Sequence, residues 1–394
     1  MSAKLRLHHR PAILVLLEVI LAFALVAVAG LSGADAAAKK LSCGETITAK
    51  LDSDLLNCPN NGIIVAANDV TIDLNGHTID GDDALDKSCG KTEICDVGIA
   101  SEGYDGLTVR GKGILRQFAL GALVLDANEP HFRKLRMRHN IFSGMVLAGA
   151  RNAHLGKLRI SANGLDTDQA GLSFFDSRNT LISRNTISAN GDIGIFTEGS
   201  IRSRIVHNRF AANPEGGIIG DGQSALIAHN RFARNGDGIG WGGDDNVIRA
   251  NSVSGSSARG EGGGQGIEFG GGKHNRIVGN TIRDVDKHGV VIEAFGPIRG
   301  MVAARNSVHS AGEDGLVVRD VVKSARRVSL RANHAVGSKD DGIDVAIKSA
   351  KLTDNVARNN GDHGIEAHDG VEDGGGNHAK GNGDPRQCVN VKCR

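Results

Sequence analysis

A glycine followed by an apolar residue returns at Gly144, Gly171, Gly194, Gly217, Gly238, Gly266, Gly289, Gly315, Gly342 and Gly364, in steps of 21 to 28 residues. An asparagine followed shortly by an apolar residue keeps phase with it, at Asn185, Asn208, Asn230, Asn251, Asn280, Asn306, Asn333 and Asn355. From each asparagine to the next repeat glycine is nine residues, except eight after Asn230 and fifteen after Asn251. Two markers sharing one phase define an internal repeat, and a repeat this short constrains the architecture before any single residue does. Inside a unit, apolar and polar residues alternate over short stretches, as in Gly266-Ile267-Glu268-Phe269 and Asn275-Arg276-Ile277-Val278. That is the period of a strand with one buried face. One such unit cannot bury its own apolar side, but a stack of units can. The chain is therefore predicted to be all-β, a right-handed, single-stranded parallel β-helix. Weaker early units at Gly62, Gly98 and Gly121 bring the count to about 13 coils, a rod on the order of 60 Å at ~4.8 Å per coil. A leucine-rich horseshoe has units of similar length, but its Leu-x-x-Leu-x-Leu series is missing. The repeat asparagines suit left-handed corners and can stack into hydrogen-bonded ladders.

The first 36 residues differ from the rest. Lys4, Arg6 and Arg10 precede an apolar run from Pro11 to Leu31, and Ala34-Asp35-Ala36 has the small–x–small form of a cleavage site. This reads as a secretory signal peptide over residues 1–36, although the run is also long enough to remain as an anchor. Six cysteines cluster near the two ends, and their spacing suggests Cys43–Cys58, Cys89–Cys95 and Cys388–Cys393 as disulfides. The expected layout is a cap with the first coils over 37–97, the helix over 98–383, and a disulfide cap over 384–394. Removing residues 1–36 leaves 43 basic and 43 acidic residues. With no basic excess or visible basic patch, no nucleic-acid partner is expected. A monomer free of the membrane after cleavage, secreted to the periplasm or beyond, is the expectation.

Units such as Ile182-Ser183-Arg184-Asn185-Thr186-Ile187 leading to Gly194-Ile195 resemble the parallel β-helix repeats of the pectin-lyase-like superfamily. The opening, Cys43-Gly44-Glu45-Thr46-Ile47 through Cys58-Pro59 and then Val70 to Ile79, resembles bacterial exported β-helix proteins. The resemblance covers about residues 42–394. It implies the fold, and it implies two classes of function, since the superfamily holds polysaccharide lyases, hydrolases and epimerases alongside non-enzymatic adhesins and spikes.

Chemistry on such a rod sits on outer faces and corner loops. Longer units push out neighbouring loops at Phe295–Arg299 and Asp320–Ser324, with another insertion at Ser256–Gly264. If the residue after each repeat glycine points inward, the next points outward, giving the column Glu268, Val291, Val317, Asp344 and Glu366. Two positions further on come Glu293, Arg319, Ala346 and His368. Asp344 and Glu366 then lie on adjacent coils, roughly 5 Å apart. Carboxylates that close raise each other's proton affinity and would suit a glycosidase pair. A solvated acidic face gives the same column. The turns before the glycines carry Asp237, Lys287-His288, Glu313-Asp314, Asp340-Asp341 and Asp362-His363, which is also what a turn requires. Asp340-Asp341-Gly342-Ile343-Asp344 resembles the paired aspartates of pectinase-type hydrolases but lacks their upstream Asn-Thr-Asp. The stretch from Asp362 to Asp369 resembles the Asp/His-rich segments of alginate epimerases but lacks Asp-Pro-His-Asp.

Enzymes acting on uronic acids need a carboxylate neutraliser and a base. His288, Glu293, Arg319, Asp341, Asp344 and Glu366 are the catalytic candidates, with Arg299, Lys323, His363 and His368 as substrate contacts. No cofactor motif is present. Asp237, Asp244 and Asp245 offer oxygen ligands of the kind Ca²⁺ takes, and His207 and His229 read as a turn ladder. Aromatic residues are scarce, at 3%, so any glycan would be held by Arg and Lys, with Phe175 and Phe196 as outward rings or as core. Two functions follow. One is an exported protein acting on or binding an acidic polysaccharide as lyase, epimerase or hydrolase. The other is a non-catalytic extracellular β-helix scaffold.

Overall fold

The computed structural model describes residues 42–46, 49–85, 95–258, 263–294, 296–320 and 324–394. The expected signal segment 1–36, Cys89 and Lys323 lie outside the described residues. Among the described residues there is no helix. The strands pair in parallel and build three long sheets, called A, B and C here. Sheet A has 15 strands from Glu45–Thr46 to Cys388–Val389, sheet B has 14 from Ala49–Lys50 to Glu372–Asp373, and sheet C has 14 from Leu55–Cys58 to His378–Lys380. The chain visits A, B and C in turn and then climbs to the next coil, so each strand pairs with its equivalents one coil below and one above. The result is a solenoid of about 14 coils. Disulfides Cys43–Cys58 and Cys388–Cys393 lie near its two ends, and Cys95 is also disulfide-bonded.

The repeat glycines open the sheet A strands, and their lack of a side chain is a packing requirement. A Cβ at Gly266 would sit 2.3 Å from the Gly289 carbonyl, one at Gly289 2.5 Å from the Gly315 carbonyl, and one at Gly315 2.6 Å from the Gly342 carbonyl. Each glycine admits the backbone of the coil above. The interior fills with one apolar column per strand, including fully buried Trp241, Phe174 and Phe269. Phe210 and Phe232 stack there at 4.8 Å.

The asparagines form the expected ladder at the B–C corner. From Asn185 through Asn208, Asn230, Asn251, Asn280, Asn306, Asn333 and Asn355 to Asn377, each Nδ2 donates to the next Oδ1 at 3.0–3.1 Å. The left-handed residue is not the asparagine but the one before it, such as His207 (φ 58°), His229 (φ 57°) and Ala332 (φ 52°). That assignment leaves the amide free to turn inward and bond between coils. His207 and His229 stack face to face at 5.0 Å on this corner, as the turn-ladder reading expects. A second ladder at the C–A corner runs from Asn140 through Asn163, Asn190 and Asn213 to Asn235 and resumes from Ser338 through Asn360 to Asn382. Between them Ser256, Val285 and Ala311 fill the corner, all buried. The coils with this gap bear Glu268, Glu293 and Arg319 of the face described next, whereas Asp344 and Glu366 lie on the coils where the ladder resumes.

Candidate functional site

On the outward side of sheet A, Glu268, Val291, Val317, Asp344 and Glu366 stand in one register column. The parity read from the sequence holds, because Ile267, Val290, Leu316, Ile343 and Ile365 between them are core. Val291 and Val317 point outward yet are only 2% and 0% exposed. Arg319 is paired in register with Glu293 on the same face. Its guanidinium reaches back along the strand to within 3.6 Å of the Asp314 carboxylate. The column is thus a small apolar floor with carboxyl groups at both ends.

The turn that leads into these strands carries a second column, and its polarity has a structural cause. Each side chain accepts the backbone N–H of its equivalent one coil above. Gln265 donates to Asp237 (2.8 Å), His288 to Gln265 (3.1 Å), Asp314 to His288 Nδ1 (3.2 Å), Asp341 to Asp314 (2.9 Å) and His363 to Asp341 (2.7 Å). These hydrogen bonds take up buried backbone donors of the turn, on the coils where the asparagine ladder has lapsed and on those where it resumes. They also fix the His288 ring. Nδ1 accepts from a backbone N–H, so in the neutral ring the proton sits on Nε2, 2.8 Å from Glu313 Oε2.

Burial without enough positive charge raises the proton affinity of several of these carboxyls. Burial, then the neighbouring Glu268, push Asp237 up to about 8. Glu268 is raised by burial and by Glu293. Burial, then Asp314, push Asp344 up to about 6 against the pull of Arg319, with Glu366 adding to the rise. Asp341 is pushed up to about 7, by burial first. Near neutral pH the face therefore offers carboxyl groups that can give or take a proton, beside a histidine and an arginine. This is the set that acid–base chemistry needs.

His288, Glu293, Arg319, Asp341, Asp344 and Glu366 all lie on this face or its bordering turn. Arg299 lies at the other edge, at the A–B corner. There Lys273 pairs with Arg299 and Arg299 bridges to Arg326, so three exposed cations stand in line along the rod. His363 is buried in the turn column. His368 is exposed, beyond the end of its strand, with Nδ1 2.6 Å from the Asp369 carbonyl oxygen.

Three expectations need correction. Asp237 opens a strand, Asp237–Gly242, whereas Asp244 and Asp245 follow its far end, so the three aspartates form no common calcium site. Asp244 instead accepts the Lys273 N–H. The even charge balance hid basic patches that stacking creates, since Arg136 pairs with Arg159 and Arg209 with Arg231 on sheet C. Finally, Phe175 and Phe196 are neither in the helix interior nor free rings. They join Val146, Ile193 and Ile219 in a separate apolar cluster on the outside of sheet A, packed to 8% and 6% exposure.

Residues 216–384 match the family described as right handed beta helix region, and residues 75–261 match that described as periplasmic copper-binding protein (NosD). No curated protein sequence matches the chain. Among solved structures, the periplasmic alginate epimerase AlgG is 15% identical, covering 83% of this chain and 81% of its own, with a TM-score of 0.48. The GH136 lacto-N-biosidase from Eubacterium ramulus is 12% identical over 90% and 68%, at 0.46. Pectate lyase Pel9A is 11% identical over 75% and 71%, at 0.42. The coil geometry, with the right handed beta helix match over residues 216–384, defines the fold as a right-handed parallel β-helix repeat.

Among the described residues of the matched span, the copper in the NosD description finds no matching ligand set. Met137 and Met145 are in the core, and among the described residues no group of three His, Cys, Asp or Glu ligands converges between residues 75 and 261.

Proposed function

We propose that this is an exported protein that acts on an acidic polysaccharide, with the reaction centred on the outward face of sheet A. The observation that carries the reading is one of juxtaposition. A carboxyl poised near neutrality, Asp344, adjoins Glu366 and lies within the field of Arg319 and His288, while the cations Lys273, Arg299 and Arg326 line the same sheet's other edge. Like charges stacked in register repel, and a polyanion laid along the rod relieves that repulsion. Its charges would meet cations about 4.8 Å apart, the spacing of the coils. Arg319 then neutralises a uronate carboxylate at the centre, and Asp344, with Glu366 or His288, exchanges the proton. The disulfides fit a chain matured in an oxidising compartment.

A second reading, the non-catalytic scaffold, has its own support. The buried turn column accounts for its polar residues by coil-to-coil hydrogen bonds, so Asp314 and Asp341 have a structural reason to be present.

The test is incubation of purified protein with pectate, alginate and neutral glycans, read by ultraviolet absorbance of unsaturated uronates and by NMR of the products. New signals from uronate polymers, lost in Arg319→Ala, support the reading. Unchanged polymers throughout leave the scaffold.

A further inference from the structure

One histidine in the turn column is not accounted for by the coil-to-coil bonding. The His363 side chain is 9% exposed, yet neither ring nitrogen has a hydrogen-bond partner. Three carboxylates surround it at distances too long for a hydrogen bond, which wants about 2.7–3.2 Å. Nδ1 lies 3.4 Å from Asp341 Oδ1 and 3.5 Å from Asp362 Oδ1, and Nε2 lies 3.5 Å from Asp384 Oδ2.

Those lengths have a different meaning if an ion sits between the groups. Ligand atoms at about 2.0–2.2 Å from a tetrahedral Zn²⁺ stand about 3.3–3.6 Å from one another. The edges from His363 Nδ1 to Asp341 and Asp362 fall in that range. Among the described residues, Asp341, Asp362 and His363 form the one group of three possible ligands whose donor atoms all lie within 4.8 Å of one another. Asp384 stands on the other ring nitrogen, where a carboxylate that orients a metal-bound histidine belongs. Its other oxygen is held by the Arg386 backbone N–H at 2.6 Å. Asp362 is half exposed, so the fourth position opens to solvent and to water.

We propose that Asp341, Asp362 and His363 bind a divalent transition-metal ion of the zinc type, with Asp384 orienting the imidazole. The imidazole argues against Ca²⁺, which takes oxygen ligands alone. The site lies outside the span matched to the copper-binding family, and it does not depend on the polysaccharide reading, because binding needs no glycan. The rival is an imidazolium ringed by carboxylates with no ion.

Calorimetric titration of the tag-free, metal-stripped full chain with ZnCl₂, and separately with CaCl₂, decides between them. We expect one zinc equivalent, at least tenfold weaker binding in both Asp362→Asn and His363→Ala, and no comparable calcium binding. Asp362→Asn serves where His363→Ala fails to fold, because the Asp362 side chain takes no part in the ladder of backbone acceptors. No zinc uptake overturns the proposal, as do equal zinc affinity in a folded Asp362→Asn variant or calcium bound as tightly as zinc.

Discussion

Asp344 and Glu366 are register partners on adjacent strands of sheet A, Ile343–Val345 and Ile365–Ala367. They share one outward face, with Glu366 the more exposed. Burial and Asp314 push Asp344 up to about 6, and the Glu366 charge adds to that rise. Carboxyl ¹³C titration should therefore find an aspartate in the Asp344 position that ionises near pH 6. In Glu366→Gln it should ionise at lower pH. An unshifted midpoint would show that the two groups are not coupled.

Asp237 links stability to pH. Its carboxyl ionises at about 8 in the fold against 3.8 without it. The unfolded chain therefore releases its proton first as pH rises, and stability falls between about pH 4 and pH 8. Asp237→Asn keeps the acceptor for the Gln265 N–H and removes the ionisation. Denaturant melts should show the variant gaining on the natural chain from pH 5 to pH 8, by on the order of 1–3 kcal/mol. A gap that does not change with pH would refute the assignment.

The glycine column tolerates no methyl group. Gly289→Ala would place Cβ 2.3 Å from Val308 Cγ1 and 2.5 Å from the Gly315 carbonyl. A loss of about 3 kcal/mol is expected, at the upper end of overpacking costs because backbone as well as side chain must move. Urea midpoints measure it.

The buried asparagine ladder should be costly to break. Asn306→Ala removes the acceptor for both the backbone N–H and Nδ2 of Asn280, leaving two buried donors unpaired at a cost of about 3 kcal/mol. Asn128→Ala, on an exposed pair with Asn152 and outside the left-handed region, should change stability by less than about 0.5 kcal/mol. Similar losses at both sites would contradict the distinction.

Much of this was legible in the residues because a solenoid converts sequence phase directly into position. The repeat Gly fixed strand parity, and parity placed Asp344 over Glu366 and Glu293 beside Arg319. What the phase did not reveal is what depends on three dimensions. That Arg319 folds back to Asp314 follows from side-chain reach, not spacing. Lys273, Arg299 and Arg326 are 26 or 27 residues apart, and only the A–B corner brings them into line. Composition alone gave a neutral chain. Asp237, Asp244 and Asp245 are close in sequence, but an extended strand separates them. The turn column read as turn chemistry, and its role as a chain of backbone acceptors needed the register of both coils. The lapse of the second Asn ladder at Ser256, Val285 and Ala311 was visible as missing asparagines, a signal that could have marked these coils.

The central claim is that the outward face of sheet A performs proton transfer on a uronate polymer, with Asp344 as a proton-exchanging group. The most direct measurement is kcat/KM of the natural chain and of Asp344→Asn on a uronate polymer, with the circular dichroism of both proteins checked. The account predicts turnover in the natural chain and a loss of about 10²–10⁴-fold in a folded Asp344→Asn variant, the usual worth of a general acid or base. Equal rates for the two proteins would contradict it.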